Sequence, residues 1–178
     1  DLTMEETEGV EAGDDVDYTV SVSDAYGNAC DAVTTVECDD PSVLVNADEI
    51  EFTEDGIFTC TATVLGSDIV DAVTVVIDGA GPELAVATPE RGSWTTATAV
   101  TVSGTAVDAV TEVDSVTVNG ATVPHDGGAF SHELVLADGL NIVETVAFDP
   151  DADDSGAGNR SSDVRTVLRA PAFQDPDA

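Results

Sequence analysis

The stretch from Gly139 to Asp163, GLNIVETVAFDPDADDSGAGNRSSD, decides how the chain reads. Ile142, Glu144, Val146 and Phe148 alternate with Val143, Thr145, Ala147 and Asp149, the two-residue period of a sheet strand. The strand runs straight into a loop holding Asp149, Asp151, Asp153 and Asp154, with Gly156, Gly158 and Asn159 as turn formers. Possible ligand chemistry is concentrated here, although the stretch is not an active-site motif.

Working outward, the same two-residue grammar recurs. Tyr18, Val20 and Val22 alternate with Thr19, Ser21 and Ser23, and the segment ends in the turn Asp24-Ala25-Tyr26-Gly27-Asn28. Further strands are predicted at 33–38, 42–45, 50–53, 57–64 and 69–77, then at 84–88, 99–106, 115–119, 129–136, 141–148 and 164–169. Asn119-Gly120, between SVTV and ATV, is the strongest short hairpin signal. Short strands with closely spaced turn signals predict an all-β fold of two tandem sandwiches. No stretch sustains a helical apolar period. The glycines and proline of Asp78-Gly79-Ala80-Gly81-Pro82 mark the joint, giving domains at 1–79 and 80–170 and a Pro- and Asp-rich tail or linker at 171–178.

Hydrophobic content is 42% but aromatic content only 4%, so the cores must be built from Val, Ala, Ile and Leu. The net charge is -33, and the chain has no lysine. Such a chain repels phosphate backbones and anionic membrane surfaces, which excludes nucleic acid as a partner. Adaptation to salty surroundings, divalent-cation binding and a plain acidic secreted surface all fit this charge. All four arginines follow Gly79, so the first half should be the more salt-sensitive. The chain opens at Asp1 without a signal peptide and has no transmembrane run, which reads as a mature protein or a piece of a longer one.

The cysteines, Cys30, Cys38 and Cys60, have no zinc or C-x-x-C spacing. Val36 and Cys38 share one strand face; Phe58, Cys60, Ala62 and Val64 share another. If the two strands are neighbours, Cys38 and Cys60 both face the core and a disulfide follows, suited to an oxidising compartment. Two buried thiols, or a Cys30–Cys38 pair across a hairpin, are the alternatives.

Asp149-x-Asp151-x-Asp153 opens like a calcium loop, with Asp154, Asn159 or Asp163 left to close the shell. The rest of an EF-hand is missing: Asp154 stands where the turn glycine belongs and Arg160 at the twelfth position. Calcium is therefore the candidate cofactor of a non-EF loop, set against a solvated acidic loop. Trp94, the single tryptophan, lies in the loop Arg91-Gly92-Ser93-Trp94 and is either a lid on the sandwich or a contact for sugar or protein. His125 and His132 stand outside any metal spacing or nucleophile motif and read as structural. Arg160, Arg165 and Arg169 are expected to form surface ion pairs with nearby acids.

Two resemblances sharpen this reading. Asp24, Gly27, Asn28, Phe52, Gly56, Phe58 and Ala62 fall where bacterial immunoglobulin-like repeats carry their recurring residues. The second half, about Gly81 to Arg169, resembles the immunoglobulin-like modules named after domain B of glucodextranase. The likeness rests on Gly81, Pro82, Leu84, Val86, Pro89 and Gly92, then on Val100, Val102, Gly104, Ala106 and Asp108. It continues through Val116, Val118, Asn119 and Gly120, then Gly128, Phe130, Leu136, Gly139, Asn141, Val143, Ala147, Asp149, Gly158 and Asn159. The family's short A-x-D-x-x-G-N turn is here stretched to AFDPDADDSGAGN. The resemblance implies a fold and an extracellular or cell-surface setting. The expected role is a non-catalytic structural or adhesive module whose partners are surface proteins or further copies of itself. The alternative is a carbohydrate-binding accessory of a secreted glycosidase, for which Trp94 should be exposed and flanked by polar groups.

Overall fold

The computed structural model describes residues 2–6, 15–46, 49–150 and 158–170. Every regular element among them is a β-strand. The chain divides into two compact units, one running up to Ala80 and the other from Gly81 to Pro150 and from Gly158 onward.

The first unit contains β1 (Leu2–Glu6), β2 (Asp15–Val22), β3 (Thr34–Cys38), β4 (Leu44–Val45), β5 (Glu49–Glu51), β6 (Gly56–Val64) and β7 (Val70–Ile77). They form two antiparallel sheets, β1-β2-β5-β4 and β3-β6-β7. This is the seven-strand immunoglobulin arrangement, four strands facing three. Alternation decides what is inside. On β6, Phe58, Cys60 and Ala62 are buried, while the intervening Thr59 and Thr61 are not. They pack with Val16, Val43, Ile50, Phe52, Val75 and Ile77. The rings of Phe52 and Phe58 lie 5.0 Å apart, tilted by 43°.

Cys38 and Cys60 are directly opposite in the β3–β6 ladder and form a disulfide. Cys30 is exposed and carries no disulfide, so its alternative pairing with Cys38 is overturned. The bridge joins neighbouring strands of one sheet, unlike the inter-sheet bridge of antibody domains. In the turn after β2, Asp24 Oδ1 accepts the backbone N–H groups of Tyr26 and Asn28, at 2.8 and 3.0 Å, and Gly27 takes φ +81°. The Asn28 side-chain amide, then the Asn28 and Tyr26 backbone N–H groups, hold the Asp24 carboxyl below its ordinary value.

The second unit contains β8 (Glu83–Thr88), β9 (Ser93–Thr95), β10 (Ala99–Val107), β11 (Ser115–Val118), β12 (Ala121–Val123), β13 (His125–Asp126), β14 (Ala129–Val135), β15 (Gly139–Phe148) and β16 (Arg160–Arg169). Its sheets are β13-β14-β10-β8 and β12-β11-β15-β16-β9. The core is Val86, Val102, Ala106, Val116, Val118, Val123, Phe130, Leu136, Val143, Ala147 and Val167. Asn119 and Gly120 have φ of 47° and 78°, the left-handed pair that a two-residue type I′ hairpin needs.

The opening strand of this unit changes sheets. β8 pairs antiparallel with β10, whereas β9 runs parallel to β16. A cis Thr88–Pro89 bond and Gly92, at φ +67°, lie in the crossing between them. The sequence reading placed Trp94 in a loop. The structure puts it in β9, because the pairing that makes it a strand comes from residues 167–169. β16 also begins earlier than the periodicity indicated, at Arg160, extending the hairpin with β15 over ten residue pairs.

Candidate functional site

The β15–β16 hairpin carries the acidic stretch and, at its opposite end, the neighbours of Trp94. Asp149, just past β15, is buried, and its N–H donates to the Asn159 carbonyl at 3.2 Å. Gly158 lies hard against it: a Cβ there would come within 2.2 Å of the Asp149 carbonyl oxygen and 2.7 Å of its Oδ1. The loop is therefore closed at its base by backbone contact that only glycine permits. Asp151, Asp153 and Asp154 lie outside the described residues.

Asp163, proposed from sequence to help close a calcium shell, is committed elsewhere. Its Oδ1 accepts Arg165 Nε at 2.9 Å and its Oδ2 accepts Arg91 Nη2. Two guanidinium groups on one carboxylate make a poor place for a cation. Arg165 is also no ordinary surface charge. Its guanidinium is mostly buried and donates to the carbonyls of Pro89, at 2.6 Å, and Val86. Arg91 donates to the Val164 carbonyl at 2.9 Å. Together they tie the β8–β9 crossing to β16. Arg169 pairs with Asp138.

Trp94 is 71% exposed, so it does not close the end of the sandwich, and the lid reading is corrected. Its cross-strand neighbour on β16 is Leu168, whose own neighbour on β15 is Leu140. The tryptophan is thus exposed, but its neighbours in the sheet are aliphatic rather than polar.

The histidines sit apart. His132 is half-buried on β14 opposite Val102. His125 Nε2 lies 3.3 Å from the Asp114 carbonyl. It borders an open cleft of about 400 Å³ with Asp108, Glu112 and Asp126. Asp108 Oδ1 accepts the Val110 and Thr111 N–H groups, both at 2.9 Å, which turns the chain after β10. A second cleft, of about 330 Å³, lies in the first unit between Asp39, Asp40, Ser42, Glu54 and Asp55. There Ser42, through its hydroxyl and then its N–H, holds the Asp40 carboxyl below its ordinary value. Sequence reasoning had marked neither cleft, because each is assembled from turns distant in the chain.

The family model described as glucodextranase, domain B, matches residues 82–170, which span β8 to β16. The chain belongs to the glucodextranase domain B family. In this domain-B module, the family residues Gly104 and Gly158 stand where neighbouring backbone leaves no room for a side chain. Asn141 of the same set is tied through its side chain to Ala137 and Gly139.

Several solved structures are similar over nearly the whole chain. The fibronectin(III)-like modules of Clostridium thermocellum CbhA are 17% identical at a TM-score of 0.42, covering 96% of this chain and 95% of theirs. Domains 4 and 5 of the S-layer protein SbsC are 14% identical at 0.37, covering 96% and 98%. The D0-D1 domain of intimin is 12% identical at 0.38, covering 94% and 97%. Among curated proteins, none matches the chain.

Proposed function

We propose that this chain is a non-catalytic extracellular module of two tandem immunoglobulin-like domains that spaces, displays or assembles components at a cell surface. The observation that carries this reading is the filling of both sandwiches. The first interior is occupied by Val, Ile, Phe, Ala and Cys60 side chains and the second by Val, Ala, Phe and Leu, so contact chemistry is left to outer faces. The Cys38–Cys60 disulfide supports an oxidising, secreted setting. Among the described residues no helix is long and apolar enough to cross a membrane.

The exposed Trp94 favours one second reading, a carbohydrate-binding accessory, since a sugar ring can stack on a free indole. The chain's single tryptophan makes the test direct. Trp94 fluorescence is titrated with soluble α- and β-glucan oligosaccharides. The structural-module reading expects unchanged emission through about 10 mM sugar, a range that reaches past a Kd of 1 mM. A saturable blue shift would replace that reading with the accessory one.

Calcium at the Asp149–Asp154 stretch is also proposed, from the carboxylate spacing alone. A ligand held only by the folded chain raises its melting temperature. The expected result is a rise in low-millimolar calcium above an ionic-strength control, lost on joint Asp151→Asn and Asp153→Asn replacement. Equal melting in calcium and in the control would remove calcium from the account.

A further inference from the structure

The outer face of the β15–β16–β9 ribbon departs from the pattern of its own sandwich. On the opposite sheet, the central outward pairs are polar: Thr101 pairs with Glu133 and Ser103 with Ser131. On the ribbon, the register aligns Leu140, Leu168 and Trp94 in one row, with Ile142 and Val164 in the next two. Leu140 is 69% and Ile142 62% exposed, and Val164 and Leu168 are also exposed. A contiguous apolar patch that includes a tryptophan is the composition of an interface, not of a solvated sheet.

Charge indicates what covers it. All four basic residues of the chain lie on the segments that build this face: Arg91 just before β9, and Arg160, Arg165 and Arg169 on β16. Strand alternation turns Asp163, Arg165 and Arg169 to the inner side with Val167, so the exposed charges on these segments are Arg91, Arg160, Glu90 and Glu144, a net of zero in a chain of -33. A basic partner would find no acidic excess here. A second copy would meet apolar surface and both signs of charge.

We propose that this ribbon is a self-association surface, and that its occupant is the same face of a second copy of this chain. The proposal rests on the assembly reading above and names its partner. Face-to-face packing of two sheets about 10 Å apart would bury Trp94, Leu140, Ile142 and Leu168 against their counterparts. The pairing is isologous, so each Arg91 and Glu144 can meet an opposite charge across the two-fold axis. The remaining repulsion between two acidic chains is long-range and falls as salt screens it. Self-association should therefore strengthen with salt, whereas docking to a basic partner would weaken.

The test is sedimentation equilibrium of the full, disulfide-intact chain, up to about 1 mM protein, in about 0.01 M and about 1 M NaCl, where Debye lengths are about 30 and 3 Å. A dimer is expected at the higher salt and should be weaker or absent at the lower. Trp94→Ser and Leu140→Ser, both outside the core, should each raise its Kd by about tenfold or more. Val135→Ser, at an exposed position on β14, serves as the control and should leave it unchanged. Melting curves establish that each variant folds. A chain monomeric at both salts, a dimer that weakens as salt rises, or one indifferent to both ribbon variants would overturn the proposal. Monomeric behaviour with glucan-silent Trp94 would leave the module reading in place; glucan binding at Trp94 would remove that reading itself.

Discussion

Reducing the Cys38–Cys60 disulfide is expected to lower the melting temperature of the first unit by about 10–25 °C and to leave the second unit's transition unmoved. The bridge closes a loop between residues separated by 22 positions. In the chain-entropy account, freeing a loop of that size in the unfolded state costs about 3 kcal/mol of stability. For a domain this small, each kcal/mol corresponds to about 4–8 °C. The effect should be confined because all three cysteines lie in the first unit, and the second has none. Cys60 is buried, so reductant must be present while the chain unfolds and refolds. Scanning calorimetry with and without a phosphine reductant reads the result, and the joint Cys38→Ala and Cys60→Ala variant should reproduce it. If both transitions moved together, or neither did, the bridge would not be the stabilising element of the first sandwich.

That disulfide was legible in the sequence because parity is local information. Cys38 and Cys60 lie on the core faces of their strands whatever the rest of the chain does, and the only further requirement was that β3 and β6 be neighbours. Asn119-Gly120 was legible for a similar reason: a left-handed pair of residues fixes its own hairpin. What failed needed register between distant segments. Trp94 lies in a three-residue strand whose pairing comes from β16, more than 70 positions later, and no period can be read in three residues. The apolar row through Leu140, Leu168 and Trp94 exists only once β15, β16 and β9 are aligned. Arg165 and Asp163 looked like one surface arginine and one loop acid. They became a partly buried staple because β16 starts at Arg160 and carries both into the sheet. The acidic spacing at Asp149, Asp151 and Asp153 was visible at once, but spacing fixes only the order of carboxylates along the chain.

Replacing Gly104 by Ala should destabilise the second unit by about 3 kcal/mol or more, although a glycine-to-alanine change at an unstrained site usually stabilises by about 0.4–1 kcal/mol through the unfolded chain. The sign reverses because of space. Gly104 lies on β10 between the core residues Val102 and Ala106, where the register to β8 shifts at Ser103/Gly104. The added Cβ would stand 2.3 Å from the Ala85 carbonyl oxygen, 2.9 Å from Val86 Cα and 2.8 Å from Phe130 Cζ. Two of these three atoms are backbone, so no rotamer change removes the clash. Nor can β8 lift away freely. The Val86 carbonyl is held by the Arg165 guanidinium, and the Thr88 hydroxyl donates to the Thr101 carbonyl at 2.9 Å. Relief must come from displacing Phe130 within the core and from parting β8 from β10, which loses both packing and ladder hydrogen bonds. Calorimetry of Gly104→Ala should show the second unit's transition lowered by 10 °C or more, about what 3 kcal/mol implies for a domain of this size, with the first unit's unchanged. A neutral result would mean that β8 yields at little cost. The glycine between the valine and alanine of this family segment would then need a reason other than the close passage of the opening strand.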